Sequence, residues 1–328
     1  MIVEHPEVAA GVVAATVVTA WGVDVTHAEH LPVGRRRWHW ALGDDTGPQW
    51  FATVEPVPHG SERTTLLASY DGAARLAQRL GFVVAPVPTR DGRVAVDLAP
   101  GLLLTVTPFL DGPTVGHGPF TCDRDRAVVA NMMGDLHRQR RLRHLPVWRP
   151  RIGRRGHDRR EELLARLGDH GWAGGPWSGP ASRLVRDAEP LLLRSLRRFS
   201  LLGAATAGTA QRWVVSHGGP GTSDLVRTPD GHRLVGWGSL ALAPRERDLR
   251  LSLGSAEGDE PWFGYLEGGG VPEPLAPDVV EMFALQHHLT EVTEHVVRLD
   301  GPHGDGPDEH RWFAALETEL AALLARWG

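Results

Sequence analysis

The stretch that decides the fold is His217-Gly218-Gly219-Pro220-Gly221-Thr222-Ser223-Asp224-Leu225, followed after a short turn by Leu234-Val235-Gly236-Trp237-Gly238-Ser239. The first segment is typical of a glycine-rich loop, and the second is typical of a strand and its end. Only His217 and Asp224 carry titratable side chains in these two segments. Any acid–base or metal chemistry at this place in the chain therefore depends on those two residues.

The residues before and after these segments predict a β-rich region followed by a larger helical one. A helix is predicted over residues 8–22 and a short strand over 23–25. Alternating residues over 38–42 and 50–54 predict a hairpin, with its turn at Asp44 to Gly47. Apolar residues at helical or strand spacing predict further helices over 65–80, 124–138, 161–168, 181–198, 279–297 and 309–327, and further strands over 83–86, 93–98, 102–109 and 211–216.

Length and composition limit the classes of protein to consider. A chain of 328 residues is long enough for two domains. Its net charge of −5 argues against general affinity for nucleic acid. The single cysteine, Cys122, excludes an intrachain disulfide and a cysteine-based zinc site. The apolar stretch 8–23 has no basic segment before it and is shorter than the roughly 20 residues that span a bilayer, so we expect a cytoplasmic protein that does not bind membranes.

The basic residues are unusual because all 35 of them are arginine. A bias toward Arg, Ala and Gly is typical of GC-rich coding sequences and suggests an actinobacterial source. The absence of lysine also limits the chemistry. An enzyme that holds nucleotide phosphates with a strand lysine has no such residue here.

In order and spacing, the two central segments resemble those of small-molecule antibiotic kinases, the aminoglycoside and spectinomycin phosphotransferases. That family reads H-G-(D/E)-x-H-x-x-N, a turn, and a strand ending in D-W-D. The most specific further likeness is Ala243-Pro244-Arg245-Glu246-Arg247-Asp248-Leu249, directly after the second segment. The resemblance covers nearly the whole chain. It implies an α+β, protein-kinase-like fold with a β-rich N-terminal lobe over 1–111 and a helical C-terminal lobe over 112–328.

The same resemblance implies that most of the phosphotransferase chemistry is absent. The catalytic acid corresponds to Gly219, and the metal-binding asparagine corresponds to Asp224. The two aspartates of D-W-D correspond to Gly236 and Gly238, and the lysine that holds ATP corresponds to Thr53. Base, metal and lysine each stabilise a phosphoryl-transfer transition state by several kcal/mol. We therefore expect no transfer of phosphate from ATP, no cofactor and no metal site.

The candidate site is defined by the surviving and altered positions. His217 and Asp224 are the candidate catalytic residues, although the resemblance also implies that His217 and Asp248 brace the loop. Arg35, Arg36 and Arg37 correspond to the phosphate-covering loop and could clamp an anion, but a solvated hairpin tip is the alternative. The other candidate ligand-binding residues are Thr53, Trp237, Gly219 and Gly236.

Three functional hypotheses remain open at this stage. The first is a pseudokinase that binds a small molecule in the interlobe cleft, or else a protein partner or a second copy of itself. The second is an enzyme that acts without ATP on an intermediate of natural-product biosynthesis. The third is residual phosphotransfer with an altered arrangement of cofactor groups. The histidines His288 and His295 share a helix face, which permits metal binding but does not predict it.

Overall fold

The computed structural model describes residues 8–33, 37–57, 60–116, 118–153, 158–169, 171–253 and 259–328. The chain forms two compact units, of which the first comprises Met1–Val147 and Val214–Glu273 and the second comprises Trp148–Trp213 and Pro274–Gly328. Both central motif segments therefore lie in the first unit. The lobes expected over 1–111 and 112–328 remain a prediction.

Nine strands and ten helices are present in the described part of the chain, besides two short 3-10 turns. The strands are β1 (His27–Leu31), β2 (Trp38–Asp44), β3 (Gly47–Pro56), β4 (Val96–Ala99), β5 (Leu102–Pro108), β6 (Val214–Ser216), β7 (Leu225–Thr228), β8 (Gly231–Leu234) and β9 (Ala241–Ala243). The helices are α1 (Ala10–Trp21), α2 (Ser61–Ala77), α3 (Asp123–His137), α4 (Arg160–Gly168), α5 (Ser178–Asp187), α6 (Glu189–Ala207), α7 (Glu246–Ser252), α8 (Glu260–Glu267), α9 (Pro277–Asp300) and α10 (Pro307–Trp327).

An antiparallel sheet of five strands, in the order β1-β2-β3-β5-β4, forms the N-terminal part of the first unit. Successive side chains of a strand point to opposite faces, and here the two faces differ in chemistry. One face packs on α1 through an apolar core that includes Trp40, Leu42 and Val54. The other face carries His39, Thr53 and Glu55, all of them buried, and it lies beside α2. The polar face is the one that contributes to the candidate site.

The rest of the first unit holds the two motif segments. Strand β6 pairs with β9, and β7 forms a hairpin with β8. Helix α3 packs against α7 and α8. The β7–β8 hairpin is joined to the N-terminal part by two hydrogen bonds, in which Leu234 N–H donates to the Phe82 carbonyl at 2.7 Å and Val84 N–H donates to the Leu234 carbonyl at 3.0 Å. These bonds fix the strand that leads into Gly236.

The second unit is helical. Its longest helix, α9, packs against α4, α5, α6 and α10. The helix expected over 181–198 is wrong, because the chain forms two helices that meet at Ala188, and Pro190 stands at the start of α6. Proline is favoured in the first turn of a helix and disfavoured inside one. No helix among the described residues is long and apolar enough to cross a membrane.

Two predicted strands are also wrong. Residues 23–25 are not a strand, because α1 ends at Gly22 in the left-handed conformation and pairing with β2 begins only at His27. Residues 83–86 make a single isolated bridge, between Val83 and Leu234. Pro86 ends this range and Pro88 follows it, and proline cannot donate a hydrogen bond to a neighbouring strand. The hairpin of β2 and β3 is present and longer than its pattern predicted.

Candidate functional site

Asp248 organises the loop that begins at His217. Its carboxylate is fully buried and accepts hydrogen bonds from the N–H groups of His217 at 2.9 Å, Gly218 at 2.7 Å and Gly219 at 2.9 Å. The hydroxyl of Ser216 donates to it at 3.0 Å. One side chain thus satisfies three successive backbone donors that would otherwise be buried without partners. The brace expected of Asp248 is present.

His137 of α3 supplies a further donor to the same carboxylate. Its Nε2 lies 3.0 Å from Asp248 Oδ2, and its Nδ1 lies 3.2 Å from the hydroxyl of Tyr265. Burial of Asp248 opposes its ionisation, but the hydrogen bond and charge of His137, with the nearby His217 and Arg247, outweigh that effect and hold the pKa of Asp248 well below its usual range. The loop therefore rests on an ionised carboxylate.

His217 faces the strand that carries the second motif segment. Its Nε2–H donates to the carbonyl of Val235 at 2.8 Å, and its ring meets the ring of Trp237 edge-on at 4.6 Å. Trp237 is 2% exposed, and its indole N–H donates to the Leu234 carbonyl at 2.9 Å. His217 and Trp237, both predicted site residues, thus connect the two motif segments to each other. Trp237 is too buried to offer a ligand much surface.

Gly219 occupies the position that the resemblance assigns to the catalytic acid. Its φ of +95° lies in a region that favours glycine. A Cβ at this position would lie 3.3 Å from the Arg247 carbonyl oxygen and 3.7 Å from Arg250 Nη2. The site therefore offers no carboxylate at the acid position and places a guanidinium beside it.

Asp224 fills the space that a side chain at position 236 would need. A Cβ built on Gly236 would lie 2.5 Å from Asp224 Oδ1, closer than real Cβ atoms approach an oxygen. The other carboxylate oxygen, Oδ2, accepts a hydrogen bond from the Gly221 N–H at 2.9 Å. Magnesium prefers six oxygen ligands in octahedral geometry. One carboxylate that is already hydrogen-bonded, with no acid at 236, does not fit the magnesium site of a nucleotide-dependent kinase.

A buried ion pair links the start of β2 to β3. Arg37 Nε lies 3.1 Å from Glu55 Oε2, with the Arg37 side chain 30% exposed and the Glu55 side chain fully buried. The hydroxyl of Tyr70, on α2, donates to Glu55 Oε1 at 2.5 Å. Tyr70 also fills the space near Gly238, where a Cβ would lie 3.4 Å from its hydroxyl. The predicted ligand-binding residues Arg35 and Arg36 lie outside the described residues.

Thr53 is buried between β2 and β5 and is hydrogen-bonded. Its hydroxyl lies 3.0 Å from His39 Nδ1, on the neighbouring strand. Burial, together with the nearby charge of Arg37, lowers the pKa of His39 to about 4, while Glu55 acts in the opposite direction. His39 is therefore neutral near pH 7. The position expected for a phosphate-binding lysine thus holds an uncharged Thr–His pair.

Sequence reasoning missed Glu55, Tyr70 and Arg250. Glu55 could have been found, because it lies two residues after Thr53 and so shares its face of β3. Tyr70 and Arg250 gave no comparable signal, since their importance depends on contacts with residues distant in the sequence.

The histidines of α9 lie in the second unit. His288 Nδ1 is 2.7 Å from Glu319 Oε2, and His287, His288 and Glu319 place ligand atoms within 4.8 Å of one another. His295 is 8% exposed. His288 thus pairs with a carboxylate of α10, which explains its position without a metal ion.

The sheet, the braced loop and the helices together define the fold. They form the α+β, protein-kinase-like fold of the aminoglycoside and spectinomycin phosphotransferases, which confirms the fold that the sequence predicted. A spectinomycin phosphotransferase solved with ADP and spectinomycin matches with a TM-score of 0.71 and 11% identity, over 98% of this chain and 99% of that one. Choline kinase LicA from Streptococcus pneumoniae matches with a TM-score of 0.54 and 12% identity, over 95% of this chain and 98% of that one.

Comparison of sequences adds one relative. Protein StrN from Streptomyces griseus is 25% identical over 293 residues, which cover 87% of this chain and 83% of that protein. No protein-family model matches the sequence.

Replacing the buried carboxylate at the centre of the loop should destabilise the protein strongly. We expect Asp248→Asn to lower the free energy of unfolding by about 3 to 5 kcal/mol, because its donors would lose a charged acceptor. Urea unfolding measures this loss. Asp45→Asn, at an exposed carboxylate that is 94% accessible, is the control. A loss below about 1 kcal/mol for Asp248→Asn would contradict the brace.

The overlap between Asp224 and position 236 should appear as an energetic coupling. We expect Gly236→Asp to be destabilising in the native background, through both its φ of +86° and the overlap with Asp224. Combination with Asp224→Ala should relieve the overlap but not the backbone strain. The coupling in a double-mutant cycle should be about 1 to 2 kcal/mol. Additive effects of the two substitutions would show that Asp224 does not fill that space.

His39 should make the stability of the protein depend on pH. Its pKa in the folded state, about 4, lies below its unfolded value of 6.5, so the unfolded chain binds more protons between these values. Stability should therefore fall as the pH drops from about 7 to 4, by about 3 kcal/mol from this residue. We expect His39→Gln to remove that part of the slope in urea unfolding at several pH values. His27→Gln, at an exposed histidine, is the control, and an unchanged slope in His39→Gln would refute the assignment.

Proposed function

We propose that this protein is a pseudokinase, which binds a small molecule beside the braced loop and does not transfer phosphate from ATP. One observation carries the proposal. Gly219 stands at the acid position with a backbone conformation suited to glycine, and Asp224 occupies the space of the missing second metal ligand. Phosphoryl transfer depends on positioning and on charge stabilisation by metal and cationic groups. Here the acid, the metal site and the lysine are all absent from their usual positions.

A small-molecule ligand is favoured by the fold and by its relatives. The spectinomycin phosphotransferase was solved with ADP and spectinomycin, and another structure of that enzyme contains AMP. Gly221 leaves space beside the loop, because a Cβ on it would meet only Asp224 Oδ2, at 3.7 Å. The hydrogen bonds to Asp248 fix the conformation of the preceding residues of the loop. A preformed site reduces the entropy that a ligand loses on binding.

Residual nucleotide binding is a second candidate, and the ion pair between Arg37 and Glu55 favours it. In kinases a lysine held by a glutamate contacts the α- and β-phosphates. Arg37 is a cation held by a buried glutamate on the neighbouring strand, near the place of that pair. Arginine can contact two phosphate oxygens at once. If nucleotide binds, Arg37 is the residue that should hold it.

A nucleotide-binding experiment separates the two candidates. We expect no magnesium-dependent rise in melting temperature with ATP, ADP or GTP, and no ATP hydrolysis, because the described residues fit neither the metal site nor the lysine. A ligand at 100 times its Kd would stabilise the protein by about 2.7 kcal/mol, so thermal unfolding detects even moderate affinity. Samples with EDTA in place of magnesium are the reference.

One outcome of this experiment would contradict the pseudokinase proposal. A rise in melting temperature that requires both ATP and magnesium would refute the pseudokinase proposal. Arg37→Gln should then abolish that rise if Arg37 replaces the lysine. Arg75→Gln, which removes an exposed ion pair with Asp71, is the matched control. Because Arg37→Gln also leaves Glu55 without its cation, its melting temperature without ligand must be measured alongside.

A further inference from the structure

Arg250 forms no direct ion pair within the described part of the structure, and the charge that acts on it from nearby is that of Asp248. It lies on α7 and is partly buried, and its Nε is shielded from solvent with no hydrogen-bond acceptor. No carboxylate within the described residues forms an ion pair with its guanidinium. A desolvated charge without a partner is unfavourable. Burial lowers the pKa of Arg250, the nearby charge of Asp248 opposes that effect, and an arginine remains charged at neutral pH.

The carboxylate whose charge acts on Arg250, that of Asp248, already accepts five hydrogen bonds from other groups. Asp248 accepts from Ser216, from three backbone N–H groups and from His137. The neighbouring Arg247 differs from Arg250, because its Nη1 donates to the Ser239 carbonyl at 3.0 Å. Arg247 therefore has a structural role within the loop. The Arg250 guanidinium can form an ion pair with a group that a ligand brings.

The Arg250 guanidinium stands beside the position of the absent catalytic acid. Its Nη2 lies 3.7 Å from the place of a Cβ on Gly219, so a carboxylate on residue 219 would come within ion-pairing distance. That carboxylate is missing in this chain. Position 219 therefore carries no side chain, and the Arg250 guanidinium lies next to it. An anionic group brought by a ligand would complete the pair.

We propose that Arg250 binds an oxyanion group of the ligand, a phosphate, sulfate or carboxylate, at the position where a kinase holds its catalytic acid. This inference rests on the proposed function, since it concerns the ligand of the same loop. The guanidinium offers planar, paired N–H donors that suit two oxygens of one oxyanion. The ligand is thus an acidic small molecule.

Binding of simple anions to the full-length protein tests the inference. We would measure thermal unfolding and calorimetric binding with inorganic phosphate, sulfate and acetate up to about 50 mM, at an ionic strength kept constant with chloride. At least one oxyanion should stabilise the native protein, and the one that binds identifies the chemical group. Arg250→Gln should weaken that binding at least about tenfold, as expected for loss of a charged hydrogen bond. Arg250→Lys should restore part of it.

A second readout separates a binding role from a structural one. Without added anion, Arg250→Gln should melt at or above the temperature of the native protein, because it removes an unpaired cation. Arg79→Gln, at an exposed arginine after α2, should change neither property. Equal anion affinity in the native protein and Arg250→Gln, or no oxyanion effect beyond chloride, would overturn the inference. ATP hydrolysis assayed on the same samples tests the pseudokinase proposal separately, so the two can fail independently.

Discussion

The interaction on which the site depends is the set of hydrogen bonds to the buried carboxylate of Asp248. Ser216, His137 and three successive backbone N–H groups converge on this one side chain. The conformation of the loop therefore depends on hydrogen bonds to a residue that lies thirty positions after Gly218 in the chain. A loop held in this way does not need the side chain at position 219 to keep its shape. Loss of the acid can leave the framework intact.

On the polar face of the sheet, a different pair of residues stands near the place of the lysine–glutamate pair of kinases. A kinase of this fold pairs a strand lysine with a helix glutamate, whereas here the glutamate is Glu55 of β3 and the cation is Arg37. The helix supplies Tyr70 as a hydrogen-bond donor to that glutamate. A buried ion pair contributes less to stability than its attraction suggests, because both charges lose their hydration. The ion pair does fix the position of the Arg37 guanidinium relative to β3.

Local patterns in the sequence predicted much of the fold but only part of the site. The hairpin of β2 and β3 followed from alternation, whereas the assignment of Gly219 and Gly236 to the acid and metal positions stays a prediction from the resemblance. Strand β1 was missed because it is an edge strand of mixed polar residues with no regular alternation. Arg250 and Tyr70 were missed because their roles depend on the packing of α7 and α2 against distant segments, and no local period encodes such contacts.

Compared with a nucleotide-dependent kinase, the two motif segments of this chain carry fewer negative charges. In a nucleotide-dependent kinase, carboxylates at the acid and metal positions require magnesium to offset the charge of the phosphates. In this chain Gly219 and Gly236 lack those carboxylates, and Asp224 is hydrogen-bonded to the loop itself. Arg250 lies beside position 219, whereas the charge of Arg37 is offset by its ion pair with Glu55. On the proposal that the protein is a pseudokinase with a ligand at this loop, the cation beside position 219 favours an anionic group. The glycines that stand in place of the phosphotransfer carboxylates then favour an acidic ligand as well.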